Sequence, residues 1–360
     1  KKRLIEDLNA YKRARNGDIA YNTMRMWQGA VGDVPVDGLV SPAYVVARPI
    51  KPINSRFYSY LFGTETFQTE TNRHSYGIVS DRNRLYWLGF KNITIPIPSR
   101  EEQDRIVAFL DQKTAEIDAL IAKKQRQIEL LDEQKAILIN RAVTRGLNPN
   151  AKLKPSGIEW IGEIPEHWEV KRIGHLGTVG NGSTPSRSNP RYWDSADYPW
   201  LNSGSVNQGI VTQADQFVSN LALKECHLPL VKEDSIVIAI TGQGKTRGTA
   251  ALLAIPATIN QHLVYIEIQS PAALPEFVHL YLTSQYLQLR AISESGSTKG
   301  ALTCQDVKEF KIVLPPSEEQ KDIILAANKI KKDLAQLDSQ FEAQIQSLKT
   351  LRSTLIAHAV

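Results

Sequence analysis

One motif occurs twice in the sequence and shows how the chain is organised. "IPIPSREEQDRI" begins at Ile95 and "IVLPPSEEQKDI" begins at Ile312. The offset between them, 217 residues from position 95 to position 312, continues without a gap until Ala142-Val143 meets Ala359-Val360 at the end of the sequence. The chain is therefore predicted to contain one structural unit written twice.

Each copy of the motif leads into a predicted long helix. Ser99 and Ser317 are the predicted N-caps, because a serine hydroxyl can accept a bond from an unpaired amide of the first turn. The acidic pairs that follow favour the positive end of the helix dipole. Arg145-Gly146, with Pro149 beyond, predicts where the first helix ends.

A narrow apolar seam runs along both helices at seven-residue spacing. This pattern favours a coiled coil over two amphipathic helices that are buried against separate cores. Polar residues at Lys124, Lys135, Asp338 and Arg352 interrupt the seam, which predicts register-specific pairing. The seam consists of Val107, Leu110, Ile117, Ile121, Ile128, Leu131 and Leu138, then Ile324, Leu334, Phe341, Ile345, Leu348 and Leu355.

The repeat extends upstream of the helices. "GDIAYNTMRMWQGAVG" from Gly17 matches "DSIVIAITGQGKTRG" from Asp234, and "FYSYLF" from Phe57 matches "FVHLYL" from Phe277 as a short helix after a strand. Each unit is therefore predicted to be a mixed α/β domain followed by a long helix. The second unit begins near Gly157, which maps to position −60, so the first lacks the counterpart of about 60 residues. Either the sequence is a fragment, or the chain tolerates a trimmed first domain.

The glycine-rich segment after Ile238 tests for a nucleotide site. A phosphate-binding loop needs G-x-x-x-x-G-K-[ST], and Gly244-Lys245-Thr246 supplies its end. However, Ala239 stands at the first glycine position, the following residues indicate a short strand instead of a helix, and the first unit has no such motif. We therefore interpret the segment as a rigid loop between two strands.

Two other enzyme signals are weak. "NPRYW" at Asn189 is similar to the motif of adenine methyltransferases, but Arg191 replaces its second proline and no cofactor-binding pattern accompanies it. The histidines show neither metal-ligand nor catalytic-triad spacing. The sequence thus predicts no catalytic centre.

Bulk composition narrows the class of protein further. The 360 residues, 42% of them apolar, are enough for more than one globular domain. Cys226 and Cys304 cannot form a disulfide framework, which fits a reducing cytoplasm, and no apolar run approaches the roughly 20 residues that span a bilayer. A net charge of +5 favours an anionic partner.

Polar and basic side chains in turn-rich segments are the candidates for contacts with nucleic acid. Such side chains bond phosphates and base edges, with Arg and Lys favouring guanine and Asn and Gln favouring adenine. The alternative for each segment is an ordinary solvated loop, while Trp160, Trp168 and Trp200 are predicted to be core residues. The predicted DNA-binding residues are Asn22, Arg25, Gln28, Arg82 and Arg84 in the first unit, and Ser183, Thr184, Arg187, Arg191, Tyr192, Asn202, Ser203, Thr241, Gln243, Lys245, Arg247, Ser297, Thr298 and Lys299 in the second.

Taken together, these stretches resemble the specificity subunit of type I restriction–modification enzymes over essentially the whole chain. "SGIEWIGEIPEHWEVKRIGHLG" from Ser156 is similar to that family's lead-in to a target recognition domain. "IPSREEQ" from Ile97 and "LPPSEEQ" from Leu314 are similar to the entry into its conserved helices, and "LINRAVTRGL" from Leu138 to the exit. The order of domain, helix, domain and helix is also the family's layout.

The resemblance implies a fold of the mixed α/β (α+β) class. Two target recognition domains would be joined by two long helices that form an antiparallel coiled coil, and the repeat would have pseudo-two-fold symmetry. The implied boundaries are residues 1–97 for the first domain, without its N-terminal part, 98–146 for the central helix, 147–314 for the second domain with its lead-in, and 315–360 for the C-terminal helix.

The resemblance also implies a function and partners. Each domain would read one half of a bipartite double-stranded DNA target, and helices about 60 Å long would set the spacer and dock two methylation subunits. This cytoplasmic chain would hold no cofactor, metal or membrane contact; the methylation subunits would use S-adenosylmethionine, and a restriction or motor subunit in the full complex would use ATP with Mg. The alternative is a coiled-coil adaptor that binds DNA without reading its sequence.

Overall fold

A computed structural model describes residues 11–77, 83–242, 244–295 and 300–360. The chain divides into two compact units: Lys1–Glu129 together with Asp338–Val360 form unit 1, and Leu130–Leu337 form unit 2. Both long helices contribute residues to both units.

Unit 1 is built around a small antiparallel sheet. Its elements are β1 (Lys12–Ala14), β2 (Ile19–Asn22), β3 (Val31–Asp33), β4 (Gly38–Val40), β5 (Tyr44–Ala47), α1 (Ser55–Phe62), α2 (Glu65–Arg73), α3 (Trp87–Phe90) and the first part of α4 (Arg100–Arg145). β2 lies between β3 and β5, and β1 pairs with β4. The buried aromatic side chains of Tyr21, Phe57 and Tyr58 lie in the core between sheet and helices.

Unit 2 holds a larger, five-stranded sheet. Its elements are β6 (Leu153–Pro155), β7 (Glu163–Pro165), β8 (Glu169–Arg172), β9 (Gly177–Asn181), β10 (Tyr198–Leu201), β11 (Ile210–Val211), β12 (Gln216–Val218), α5 (Asn220–Glu225), β13 (Ile236–Ala239), β14 (Ala250–Leu253), β15 (Thr258–Ile259), β16 (Leu263–Ile268), α6 (Pro275–Ser284), α7 (Tyr286–Ser295), α8 (Cys304–Glu309), β17 (Lys311–Leu314) and α9 (Ser317–Ala359). The strand order of the five-stranded sheet is β11-β14-β13-β16-β9. A three-stranded sheet, β12-β10-β15, and the pairs β6–β7 and β8–β17 accompany it.

The two units share one strand topology, which confirms the predicted repeat. β2 begins at Ile19 and pairs antiparallel with the next strand, β3, and with the later strand β5. β13 begins at Ile236 and pairs in the same way with β14 and β16. The predicted short helices are also present, because Phe57 lies in α1 and Phe277 lies in α6.

α4 and α9 pack together, and within unit 1 their direction is antiparallel. Arg352 Nε lies 3.0 Å from Asp118 Oδ1, and Lys124 donates a hydrogen bond to the amide oxygen of Gln344. As the residue number rises along α4, the number of its partner on α9 falls. The same Lys124 ammonium lies 5.3 Å from the ring centroid of Phe341, so polar residues that interrupt the seam make specific contacts across it.

The glutamine of the repeated "EEQ" ties each long helix to its domain. Gln103 is buried; its side-chain oxygen accepts a 2.8 Å bond from the amide of Asn54, just before α1, and its amide donates 2.9 Å to the Pro98 carbonyl. Gln320 is buried in the same way and accepts 2.8 Å from the amide of Leu274, just before α6. The motif therefore joins two helix N-termini through one buried amide.

Two sequence predictions about single residues are wrong. Ser99 caps α4, since its hydroxyl oxygen lies 3.2 Å from the Glu102 amide, but Ser317 is already the first residue of α9. The repeat offset places Pro316 opposite Ser99, and the Pro316 carbonyl accepts the Gln320 amide there. Trp160 is 42% exposed at the surface, whereas Trp168 and Trp200 are buried as predicted.

α4 ends at Arg145, and Gly146 follows with a left-handed φ of 74°, as the sequence predicts. Within the described ranges no helix has the length and apolar content needed to cross a bilayer.

Candidate nucleic-acid interface

In unit 2, three loops meet at one end of the five-stranded sheet, where its strands begin or finish. Ala239, at the end of β13, pairs with Leu263 at the start of β16, and Asn181, at the end of β9, pairs with Val264. The loops at residues 182–189, 240–249 and 260–262 therefore leave the sheet side by side. A Cβ at Gly182 would lie 1.8 Å from the Ile259 carbonyl oxygen, so only glycine permits this approach.

A chain of hydrogen bonds joins these loops. Thr184 donates to the amide oxygen of Gln261, the Gln261 amide lies 3.2 Å from His262 Nε2, and His262 Nδ1 lies 2.8 Å from the Thr241 hydroxyl. The bonds are mutually consistent when His262 carries its proton on Nδ1. Thr184 and Thr241, far apart in sequence, thus belong to one polar surface.

Sequence reasoning missed Gln261 and His262. Their signal was the asparagine that precedes them: Asn260 accepts the His262 amide at 2.9 Å, which turns the chain sharply before β16. A polar pair directly after such a turn, at a strand end, is a candidate for an exposed recognition surface.

The glycine loop between β13 and β14 is fixed from below by α7. The Tyr286 hydroxyl donates 3.0 Å to the Lys245 carbonyl, and Arg290 donates to the Gly244 carbonyl. Arg247 is only 11% exposed, because its guanidinium bonds the Gly300 carbonyl at 2.8 Å and approaches Glu294 at 3.1 Å. Lys245 is exposed, so it is the cation that this loop presents to solvent.

Arg187 is held against two indole rings. Its guanidinium carbon lies 3.6 Å from the ring centroid of Trp193 and 5.1 Å from that of Trp200, and it donates 2.5 Å to the Gln216 side chain. Stacking of this kind orients a guanidinium while leaving its remaining N–H groups available. The loop after β9 therefore carries a preoriented cation.

The neighbouring candidates also take part in local structure. Tyr192 donates 2.8 Å to Glu225, and this hydrogen bond raises the pKa of the Tyr192 phenol. Asn202 accepts the Gly204 amide at 2.7 Å and so caps the 3-10 helix Ser203–Gln208, at the strand end where Asn260 bonds the Leu201 carbonyl. Arg191 is exposed on the 3-10 helix Pro190–Tyr192.

In unit 1 the loop after β2 occupies the corresponding place. Asn22 accepts the Met24 amide at 3.0 Å, Met26 is fully buried beneath the loop, and Arg25 and Gln28 are exposed. The candidate Arg84 lies beside this loop, because the Leu85 amide bonds the Thr23 carbonyl.

The two loops are connected identically to their domains. The Leu85 amide donates 2.8 Å to the Thr23 carbonyl in unit 1, and the Leu302 amide donates 2.8 Å to the Ile240 carbonyl in unit 2. The repeat offset relates both partners of the bond. The loop after β2 and the loop after β13 therefore share this backbone support and carry different side chains.

Ser183 lies in the loop after β9, where its amide donates 3.1 Å to the Ile259 carbonyl. Five candidates lie outside the described residues. These are Arg82, Gln243, Ser297, Thr298 and Lys299. The clusters that the structure brings together offer amide, hydroxyl and cationic groups, which are the groups that bond phosphate oxygens and base edges. Within the described ranges no group of three or more His, Cys, Asp or Glu side chains is arranged to hold a metal ion.

The chain matches a known protein family and is similar to proteins of that family. The model of the type I restriction modification DNA specificity domain matches residues 4–130 and 165–347, so the chain belongs to that family. It is 27% identical over 346 residues to the MjaIX type I restriction enzyme specificity subunit of Methanocaldococcus jannaschii, covering 95% of this chain and 73% of that protein.

Two solved structures share the fold. A chain from a study of complex assembly and conformational transition in the type I R-M system has a TM-score of 0.75 at 18% identity, over 98% of this chain and 84% of that one. The crystal structure of the HsdS subunit from Thermoanaerobacter tengcongensis has a TM-score of 0.58 at 18% identity, over 98% and 83% of the two chains.

Proposed function

We propose that this chain selects the DNA sequence on which a type I restriction–modification complex acts. Unit 1 reads one half of a split target with the loop after β2, and unit 2 reads the other half with the three loops at the end of its sheet. Phosphate contacts supply much of the affinity, while a few side chains at base edges choose the sequence.

The observation that carries this proposal is that the same strand-and-loop scaffold occurs in both units with a different set of side chains in each. The loop after β2 presents Arg25 and Gln28, whereas the corresponding loop after β13 presents Lys245. The bond between Leu85 and Thr23 recurs between Leu302 and Ile240, so the backbone support is conserved inside the chain. A protein that recognises two different half-sites needs different side chains on similar backbone scaffolds.

The long helices carry a second part of the proposal, the docking of methylation subunits. Large apolar side chains are exposed along them, and exposed apolar patches mark sites of protein association. In that complex the methylation subunits would use S-adenosylmethionine, and a motor subunit would use ATP. The exposed apolar side chains on the helices are Phe109, Leu120, Leu130, Ile137, Leu138, Leu325, Leu337 and Leu351.

A genome-wide map of methylated adenines tests the proposal. Cells that express the cognate methylation subunit are compared with and without this chain. A split motif that appears only with the chain supports sequence selection. Absence of any motif, while the chain and the methylation subunit co-purify, favours an adaptor that does not read sequence.

A further inference from the structure

The side chain of Gln261 is held at both ends of its amide group. Thr184 donates a hydrogen bond to the amide oxygen, and the amide nitrogen donates 3.2 Å to His262 Nε2. The imidazole is held in turn by the Thr241 hydroxyl, which lies 2.8 Å from His262 Nδ1. Because Gln261 is exposed, this network fixes the orientation of an amide that faces solvent.

The backbone beneath Gln261 is fixed as well. Asn260 is buried, and its backbone amide donates 3.0 Å to the Leu201 carbonyl at the end of β10. The side chain of Asn260 accepts the His262 amide at 2.9 Å, and its carbonyl accepts the Leu263 amide at 3.2 Å, which closes a tight turn before β16. A side chain that is already ordered on such a turn loses little conformational freedom when it binds a ligand.

The network leaves one donor and one acceptor of the amide unused. A primary amide has two N–H groups and an oxygen with two lone pairs. His262 takes one N–H and Thr184 takes one lone pair, and in the part of the chain that the structure describes no other group bonds this amide. Gln261 therefore offers solvent one N–H and one lone pair on adjacent atoms.

This combination matches one of the groups that DNA presents in its major groove. Phosphate oxygens and the guanine edge present acceptors only, cytosine presents a donor only, and thymine presents an acceptor and a methyl group. Adenine presents a donor, N6–H, beside an acceptor, N7. The network also contains no lysine or arginine, so it offers a phosphate no opposite charge.

We infer that Gln261 reads one adenine in the half-site that unit 2 recognises, with its amide nitrogen donating to N7 and its amide oxygen accepting from N6–H. Thr184, His262 and Thr241 are positioning residues, because they hold the amide and do not themselves contact the adenine. The inference rests on the proposed function and deepens it by naming one base and the residue that contacts it.

Unit 1 has the same turn without the amide group. There the Ala43 amide bonds the Ser41 hydroxyl oxygen at 3.4 Å, and the turn leads into β5, which pairs with β2 as β16 pairs with β13. The residue within the turn is Pro42, at the place that Gln261 occupies in unit 2. A proline side chain forms no hydrogen bond, so this position distinguishes the two units as readers of different half-sites.

A map of methylated adenines in cells with the cognate methylation subunit tests the inference. Gln261→Ala should make one A·T position of the split motif tolerant of all four base pairs, because the two bonds to adenine are lost, while the other positions keep their bases. Gln269→Ala is the matched control and should leave the motif unchanged. Gln269 is also exposed and also bonds a threonine, at 3.0 Å, but it follows the end of β16, whereas Gln261 precedes its start.

A modified duplex tests the contact itself. Each adenine of the target in turn is replaced by 7-deazaadenine, which keeps the N6 amino group but lacks the N7 acceptor. One replacement should weaken binding by the assembled parent complex about tenfold in fluorescence anisotropy, and the complex with Gln261→Ala should bind that duplex and the unmodified one equally. This comparison also decides the case if Gln261→Ala methylates too little DNA to give a motif.

His262→Ala tests the positioning role. It should reduce base preference at the position that Gln261 reads and at no other, measured as the ratio of affinities for duplexes with each base pair there. If it instead weakened binding to target and non-target duplexes equally, His262 would have a purely structural role, and the positioning part of the inference would be wrong.

Four outcomes would overturn the inference and leave the proposed function standing. They are a motif that Gln261→Ala leaves intact, a relaxed position that is G·C, the same change of motif in Gln269→Ala, and the absence of any 7-deazaadenine replacement whose effect depends on Gln261. Absence of a motif with the parent chain, while it co-purifies with the methylation subunit, would overturn both.

Discussion

At the scale of single residues, Gln103 and Gln320 explain why the repeated motif matters to the fold. Each is a buried amide that bonds backbone groups of two different segments. A buried polar group stabilises the fold only while its hydrogen-bond partners remain. Removing the glutamine side chain therefore leaves an amide and carbonyls at the domain–helix junction without a partner. The motif is thus a structural joint between a domain and its helix.

Gln320→Ala should lower the free energy of unfolding of unit 2 by about 2–4 kcal/mol, because it leaves the Leu274 amide and the Pro315 and Ala272 carbonyls without a partner. Urea denaturation followed by circular dichroism measures this loss. Gln346→Ala, on the exposed face of the same helix, should change stability by less than about 0.5 kcal/mol. Equal effects of the two variants would contradict the assignment.

The glycine loop carries two cations, Lys245 and Arg247, which the sequence alone does not distinguish but which differ in exposure in the structure. Lys245→Ala should leave stability unchanged and reduce the salt dependence of DNA binding by about one phosphate contact, because Lys245 is exposed. Lys232→Ala is the matched control, because Lys232 is also exposed but lies before the start of β13, whereas Lys245 follows its end. Fluorescence anisotropy of the assembled complex with DNA, at several salt concentrations, measures the affinity of the parent and of both variants. If the affinity falls equally steeply with salt in all three proteins, Lys245 does not belong to the interface.

Arg247→Ala should act first on stability. Its guanidinium is nearly buried and bonds the Gly300 carbonyl, so its loss should cost about 1–3 kcal/mol of unfolding free energy in a thermal or urea melt. If Arg247→Ala weakened DNA binding while the melt stayed unchanged, the sequence-based interpretation as a direct base contact would be correct instead.

The candidate residues could be predicted by type and position, but their roles could not. Pattern placed Thr184, Thr241 and Arg187 in loops at strand ends, which the structure confirms. It could not show that Gln261 and His262 join two of them, or that two indoles hold Arg187, since these contacts depend on which strands pair. Long-range pairing leaves no local trace in sequence.

At the scale of elements, the antiparallel helix pair depends on polar contacts that set its register. Arg352 and Asp118 are both partly exposed, so their coupling should be small, about 0.2–1 kcal/mol. Arg352→Glu and Asp118→Lys should each destabilise unit 1 slightly, and the double variant should recover part of the loss. A double-mutant cycle of urea melts measures the coupling, and strict additivity would indicate that the pair does not contribute.

Helix α6 contains a partly buried imidazole, that of His279, which we expect to make unit 2 sensitive to pH. Burial lowers the pKa of His279 to about 4, well below its ordinary value of 6.5. The unfolded chain therefore binds more protons than the folded one between about pH 6.5 and 4, and stability falls as pH falls through that window. The loss should reach about 2–3 kcal/mol at the lower end.

His279→Gln should reduce this loss, because the substituted side chain does not titrate. The measurement is the difference in urea midpoint between pH 7 and pH 4.5 for each protein. His175→Gln should unfold like the parent at both pH values, because His175 is exposed at the end of the 3-10 helix Ile173–His175 before β9. An unchanged difference in His279→Gln would show that other groups cause the acid sensitivity.

The sequence predicted the helices better than their exact starts. Period and offset identified α4, α9 and the strand-to-helix order of both units, because these signals extend over many residues. The N-cap of α9 was misplaced by one residue, since the second copy has Pro316 at the position of Ser99 and its serine, Ser317, one residue later. A local shift of this kind is resolved only by the hydrogen bonds themselves.

At the scale of the whole molecule, the repeat is the basis of the proposed function. A single unit written twice with different loops provides two readers, and the sequence alone predicted this arrangement from an offset and from the resemblance it supported. What the sequence could not predict is the apolar groove of unit 1 that is lined by residues from the end of β5, from α1 and α2 and from the segment before α4. In unit 2 the strands at the corresponding place, β16 and β17, pair with β9 and β8.

The most direct test of the proposed function exchanges one of the two DNA-recognition domains. Residues 157–310 are replaced by the corresponding segment of a relative with a different methylation motif, and methylated adenines are mapped beside the parent chain in cells with the same methylation subunit. The account predicts that one half of the split motif changes while the other half and the spacer stay the same. A change in both halves, or in neither, would contradict the assignment of one half-site to each unit.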